Sequence, residues 1–195
     1  VLLSPGNNVH RKGACDDMKY YPNSIGEAYL KVSECSDLKE QSIPTLIELI
    51  DNKCRNDTTQ SVAAASVEAC VHLRVGDVLE RNMTAYFYSP HEYKTIINTY
   101  KNHGVSKVVL MFGIHNTDNE QTINMSIDYI ISVWDVFKTA GFNVHLRSSQ
   151  HADDDVCYIR NCKYFTPSKI DKNNQTGHFT KLLAYVTKAT IVYVE

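Results

Sequence analysis

The stretch His72-Leu73-Arg74-Val75-Gly76-Asp77 brings an imidazole, a guanidinium and a carboxylate into six positions, where an apolar run stops. Arg74 offers a planar, permanently charged fork suited to a phosphate. Gly76 permits backbone conformations that a Cβ would forbid. Three more polar groups stand at comparable points of the chain. Gly113-Ile114-His115-Asn116 follows the run SKVVLMF, His145-Leu146-Arg147 leads to Asp153-Asp154-Asp155, and Thr166-Pro167-Ser168 leads to Thr176-Gly177-His178-Phe179-Thr180. A helix opening at Gly177 would turn free N–H groups and a positive dipole end toward an anion. A carboxylate such as Asp155 accepts hydrogen bonds from the N–H edge of a base. Together these chemistries describe a nucleoside diphosphate site. The chain has no GxxxxGK[ST] and no GxGxxG after a strand, so neither a Walker loop nor a dinucleotide fingerprint accounts for it.

These groups need a frame, and the sequence from residue 67 onward supplies one. Val67–Arg74, Ser106–Ile114, Phe142–Arg147, Tyr164–Thr166 and Thr190–Val194 read as strands. Between them lie helical patterns. Ser89-Pro90-His91-Glu92 has the form of a capping box with proline at the first helical position, followed by Tyr93, Ile96, Ile97 and Tyr100 at helical spacing, with a stop near Gly104. A longer helix over about 121–140 puts Ile127, Ile130, Ile131, Trp134 and Phe137 on one face and ends at Gly141. Shorter helices are expected over about 154–161 and 177–188. Strands apolar along their length, joined by helical crossovers, predict a parallel sheet covered on both faces. Right-handed crossovers make this an α/β, Rossmann-like, doubly wound domain over 67–195. In such sheets ligands bind at the carboxyl ends of strands, where all four polar groups fall. Residues 1–66 read as a small irregular region, possibly disulfide-linked, with a strand at Val1–Ser4 and a helix at Ile43–Lys53.

Composition bounds the partners. Apolar residues make up 43% and charged residues 22%, with a formal net charge of −2, which favours neither nucleic acid nor an anionic membrane surface. Any anion site must therefore be local. No apolar run approaches the roughly 20 residues that span a bilayer. The chain opens without Met or a signal-like segment and reads as a fragment or a processed form. Cys15, Cys35, Cys54, Cys70, Cys157 and Cys162 permit a disulfide framework of unspecified connectivity, with Cys157 and Cys162 either a local bridge or core residues. Sequons begin at Asn56, Asn82, Asn124 and Asn174. With the cysteines they point to the lumen of the secretory pathway (Golgi or endoplasmic reticulum) or to a secreted protein.

His72-Leu73-Arg74-Val75-Gly76-Asp77 resembles the HxRxGD motif of the fucosyltransferase superfamily, which includes the α1,2- and α1,6-fucosyltransferases and, more distantly, the protein O-fucosyltransferases. The run Asp155 to Phe165 resembles that group's second motif, and Gly177-His178-Phe179-Thr180 its third, a small-residue turn opening a helix. The three stand in family order over about 67–195. The resemblance implies the C-terminal donor-binding half of a two-lobed GT-B fold, and inverting, metal-independent transfer of fucose from GDP-fucose to a glycan or glycoprotein. Arg74 would hold the donor phosphates and stabilise the leaving group, with His72 and Asp77 shaping that site. Asp155 would read guanine. Gly177, His178 and Thr180 would contact phosphate or sugar, and His115, Ser168 and Phe179 complete the expected donor site. No metal and no cofactor beyond the donor is implied.

Plainer readings compete. Arg74 and Asp77 also suit a structural ion pair at a strand end, and His72 a satisfied core histidine. His115 fits a loop cap as well as a donor contact. The Asp153–Asp155 triplet fits an acidic metal motif, although acidic residues also belong at a helix start. A catalytically inactive glycosyltransferase-like domain, serving as a secreted binding module, is the second hypothesis. The inserted stretch IDKNNQT (170–176) and the short N-terminal region favour it. A sulfotransferase-like enzyme would need a basic phosphosulfate loop near the N-terminus, for which Ser4-Pro5-Gly6-Asn7-Asn8 is a poor match.

Overall fold

The computed structural model describes residues 47, 48, 50–52, 54, 68–114, 119–148, 152–169, 180, 183, 184 and 187–194. Among the described residues nine elements are delimited: β1 (Glu68–Leu73), α1 (Asp77–Glu80), α2 (Lys94–Asn102), β2 (Lys107–Phe112), α3 (Glu120–Thr139), β3 (Asn143–Arg147), α4 (Ala152–Arg160), β4 (Tyr164–Thr166) and β5 (Thr190–Ile191). Residues 47, 48, 50–52 and 54 are also helical, as are 180, 183 and 184. The strands form one sheet in the order β3-β2-β1-β4-β5, and every neighbouring pair is parallel. This is the expected α/β, Rossmann-like architecture.

The central strand shows why. All six residues of β1 are buried, as a strand covered on both faces requires. Side chains alternate between faces. Ala69, Val71 and Leu73 join a core with Tyr93, with Ile96 and Tyr100 of α2, and with Tyr129, Ile130, Val133 and Phe137 of α3. Cys70 lies in the opposite core with Val109, Met111, Phe165, Val156 and Ile159. Burying one large apolar side chain contributes on the order of 1.5–3 kcal/mol, so these two cores dominate the stabilisation.

Element ends follow local chemistry. Glu92 reaches back to the Ser89 N–H at 2.6 Å, as a capping box requires. The regular helix α2 nevertheless begins later than expected, because residues 89–95 close i→i+3 bonds (Glu92 N to Ser89 O, Lys94 N to His91 O, Thr95 N to Glu92 O) in the tighter 3₁₀ manner. α3 starts where the Asn119 side chain accepts from the N–H groups of Gln121 and Thr122 at 3.0 and 3.3 Å. It stops at Gly141, whose φ of 93° lets Phe142 N donate to Phe137 O. The last strand is shorter than expected, with ladder pairing only at Thr190 and Ile191.

Two expectations are corrected. The first concerns the buried face of α3, which comprises Thr122, Ser126, Tyr129, Ile130, Val133 and Phe137, while Ile127 and Ile131 are 42% and 50% exposed. An apolar count mislaid this face because two of its buried members are hydroxyl residues with dedicated partners. The second concerns the local bridge, one of two readings of Cys157 and Cys162: both are core residues, and they do not bridge each other. Among the described residues the disulfides are Cys54–Cys157 and Cys70–Cys162. Cys157 lies within α4 and Cys162 beyond its end, beside β1, so each finds its partner in a different element. The first bridge, with Arg160 donating to Asp51 at 2.6 Å, ties the helical residues around 50 to α4. That hydrogen bond also holds the Asp51 carboxyl below the usual carboxylate range. The expected strand at Val1–Ser4, together with Cys15 and Cys35, lies outside the described residues. No helix among the described residues is long and apolar enough to cross a membrane.

Candidate functional site

The chain leaves β1 toward β2 on one side and returns through α4 to β4 on the other. The strand order therefore reverses between β1 and β4, and the crevice above their carboxyl ends is the switch point where open α/β sheets bind ligands. Two segments meet there: Arg74 to Asp77 after β1, and Pro167 to Lys169 after β4.

The turn after β1 depends on Gly76. Its φ of 85° and ψ of −130° lie in a region that L side chains rarely adopt. Its N–H donates to Ser126 Oγ at 3.1 Å, and its carbonyl accepts from Leu79 N at 3.0 Å. Ser126 Oγ in turn donates to Thr122 O at 2.7 Å. Nearby, Thr122 Oγ1 donates to Glu80 Oε2 at 2.6 Å, which fastens α1 to α3. The buried hydroxyl residues of α3 thus hold the turn that carries Arg74 and Asp77. Sequence reading missed Ser126 and Thr122, and their i, i+4 spacing was the available signal.

Arg74 Nη2 donates to Asp77 Oδ1 at 2.9 Å, and Nη1 donates to Val75 O at 3.2 Å. Both side chains are partly exposed at the rim. An exposed pair of this kind contributes about 0–1 kcal/mol, so it orients the guanidinium more than it stabilises the fold.

Beside it lies a buried hydrogen-bond chain. His72 Nδ1 is 3.2 Å from Ser168 Oγ, and Ser168 Oγ is 2.7 Å from Thr180 Oγ1. All three residues are buried. Either the imidazole N–H donates to Ser168, which donates to Thr180, or the protons run in the opposite sense and Nδ1 accepts. The end of β4 is fixed separately. Thr166 Oγ1 donates to Val192 O at 2.8 Å, which leaves Tyr100 OH as the donor in its 2.6 Å bond to Thr166 Oγ1. Burial pushes the Tyr100 hydroxyl well above its usual range, so this donor keeps its proton.

Next to Ser168, Lys169 Nζ lies 3.4 Å from Glu92 Oε1 and 5.5 Å from the centre of the Tyr88 ring. Burial would raise the Glu92 carboxyl, but the hydrogen bonds from Ser89 and the charge of Lys169 leave it lowered. Lys169 was not among the residues expected from sequence, and its partner is 77 positions away.

Of the expected site residues, His72, Ser168 and Thr180 are joined directly, and Arg74 and Asp77 stand at the same strand end. Asp155 belongs to α4 and forms an ion pair with Arg147 Nε at 3.4 Å, while the Arg147 guanidinium lies 4.3 Å from the centre of the Tyr158 ring. Arg147 closes β3, two strands from β1. His115, Gly177, His178 and Phe179 lie outside the described residues. Among the described residues, the one grouping close enough to grip a metal ion is Glu68, Cys70 and Cys162, and there the two sulfurs are joined in a disulfide.

No family model and no curated protein matches the chain. Solved structures do. A universal stress protein from Archaeoglobus fulgidus is similar at 8% identity and a TM-score of 0.44, covering 66% of this chain and 98% of its own. POFUT1 in complex with GDP is similar at 9% identity and a TM-score of 0.43, covering 74% of this chain and 47% of POFUT1. POFUT1 in complex with GDP-fucose is similar at 10% identity and a TM-score of 0.44, with 74% and 46% covered. The matched part therefore spans a little under half of POFUT1. Likeness this remote, shared between two differently named proteins, concerns the sheet and its helices and not the chemistry at their rim.

Proposed function

We propose that the chain is a glycosyltransferase-type domain that binds a nucleotide sugar and transfers fucose from GDP-fucose to a glycan or glycoprotein, with inversion and without a metal. One observation carries this reading. His72 of the first sequence motif and Thr180 of the third are linked through Ser168, itself 96 positions from His72, at the β1/β4 switch point, with Arg74 on the rim beside them. In the proposed reaction Arg74 exchanges Asp77 for the donor phosphates and stabilises the departing GDP. Such preorganised charge stabilisation is typically worth about 3–4 kcal/mol in the transition state. The buried chain holds the strand ends around the phosphates. Asp155 reads guanine, and His115, Gly177, His178 and Phe179 complete the donor site. The four sequons and the two disulfides support a protein of the secretory pathway.

A specific observation favours a second reading, a binding module without catalysis. Both residues assigned to the donor's charged and polar groups already hold protein partners, Arg74 with Asp77 and Asp155 with Arg147.

A thermal-shift titration separates the readings. GDP raises the melting temperature of the protein, and Arg74→Ala abolishes the shift while leaving the unliganded midpoint within about 2 °C. Absence of a shift with GDP, UDP and ADP alike would contradict both readings. A shift with GDP-fucose and no transfer or hydrolysis of it would select the binding module.

A further inference from the structure

The structure assigns a second phosphate-binding cation to the proposed site, Lys169, held on Glu92 until a diphosphate enters the β1/β4 crevice. This inference rests on the nucleoside diphosphate reading and adds a residue that no sequence motif supplied.

Position comes first. Lys169 follows Ser168, which is hydrogen-bonded to His72 across the switch point. Neighbouring parallel strands run about 4.8 Å apart. Arg74 leaves β1 on one side of this gap and Lys169 leaves β4 on the other. α2 packs over β4 through the bond from Tyr100 to Thr166, and the turn leading into α2 carries Glu92. Glu92 at that turn is therefore the carboxylate that Lys169 meets when the crevice holds no anion.

Energetics favour an exchange. The Lys169–Glu92 pair is long at 3.4 Å, and each side chain is about a third exposed (33% and 37%). Such a pair contributes about 0–1 kcal/mol. Losing the lysine does not strand the carboxylate, since Glu92 Oε2 still accepts from Ser89 N at 2.6 Å. The Tyr88 ring beneath the ammonium gives the side chain an apolar surface to pivot on. A diphosphate carries at least two negative charges and several acceptor oxygens, so it outcompetes one carboxylate that already has another partner. Arg74 is arranged alike, its exposed partner Asp77 lying three positions on. The crevice thus has one cation on each side, each parked on a rim carboxylate.

The test exploits the sign of the two partners' effects. GDP and inorganic pyrophosphate are titrated calorimetrically into the wild type and into Lys169→Gln, Lys169→Arg, Glu92→Gln and the Lys169→Gln/Glu92→Gln double variant, each checked for folding by its unfolding midpoint. Lys169→Gln should weaken GDP about tenfold, the loss of one charge-assisted contact. Lys169→Arg should stay within about threefold of the wild type, since the charge is kept. Glu92→Gln should tighten GDP about twofold or more, because the competing charge is gone while the amide still caps Ser89. The double variant should bind as Lys169→Gln does, and pyrophosphate should follow the same order. If Glu92→Gln weakens binding along with Lys169→Gln, or Lys169→Gln changes nothing, Lys169 is only Glu92's structural partner and this inference falls while the diphosphate reading stands. A wild type that binds neither GDP nor pyrophosphate overturns both.

Discussion

The two ends of β1 each bury an ionisable side chain, Glu68 at the start and His72 near the finish, yet they are built on different terms. At the amino end every demand is met from within the fold. Lys107 Nζ donates to Glu68 Oε2 at 3.2 Å, and Tyr158 OH donates to Oε1. Lys107 is also Glu68's register partner on β2, and the Cys70–Cys162 bridge lies alongside. Burial and the adjacent carboxylate push the Tyr158 hydroxyl up, so it remains a donor. At the carboxyl end the hydrogen bonds pass between hydroxyls and an imidazole that can exchange proton positions, and the nearest charges sit on the rim with expendable partners. A buried charge with a complete set of partners is a fastening. A buried polar chain beside partly exposed, weakly paired cations suits the ligand site proposed above.

Substitutions should separate the two ends. The largest effect belongs to Glu68→Ala, which leaves the Tyr158 hydroxyl and Lys107 without their acceptor. It should lower stability by on the order of 3 kcal/mol in urea unfolding, with GDP affinity of the remaining folded protein unchanged. A loss of GDP binding at wild-type stability would reverse the assignment of the two ends. Gly76→Ala should have a smaller effect on stability, about 1–3 kcal/mol from backbone strain, yet should also impair GDP binding because it disturbs the turn carrying Arg74. A stable Gly76→Ala variant with full affinity would detach the rim from the site.

Much of this frame was legible in the sequence, and the reasons are physical. β1 and β2 are mostly apolar because both of their faces are covered, and HxRxGD spans the end of β1. What escaped reading depended on partners distant in sequence. Ser126 has no place in an apolar pattern, yet it is buried, where its hydroxyl accepts from a backbone N–H 50 positions earlier. Cys157 and Cys162 read as either a local pair or core residues; both are buried, and their bridges span 103 and 92 positions. Lys169 sat in a stretch without any motif, and only the packing of α2 over β4 gives it Glu92 for a neighbour. Asp155 was found at a helix start as expected, but sequence carries no sign of its pairing with Arg147.

The central claim is a location, a nucleoside diphosphate at the carboxyl ends of β1 and β4. Hydrogen–deuterium exchange with and without saturating GDP tests it most directly. The account predicts slower exchange in peptides covering 74–80 and 167–169, no change around Glu68 and Lys107, and no protection in Arg74→Ala at the same GDP concentration. Protection confined to other parts of the sheet, or none at a concentration that saturates the thermal shift, would contradict it.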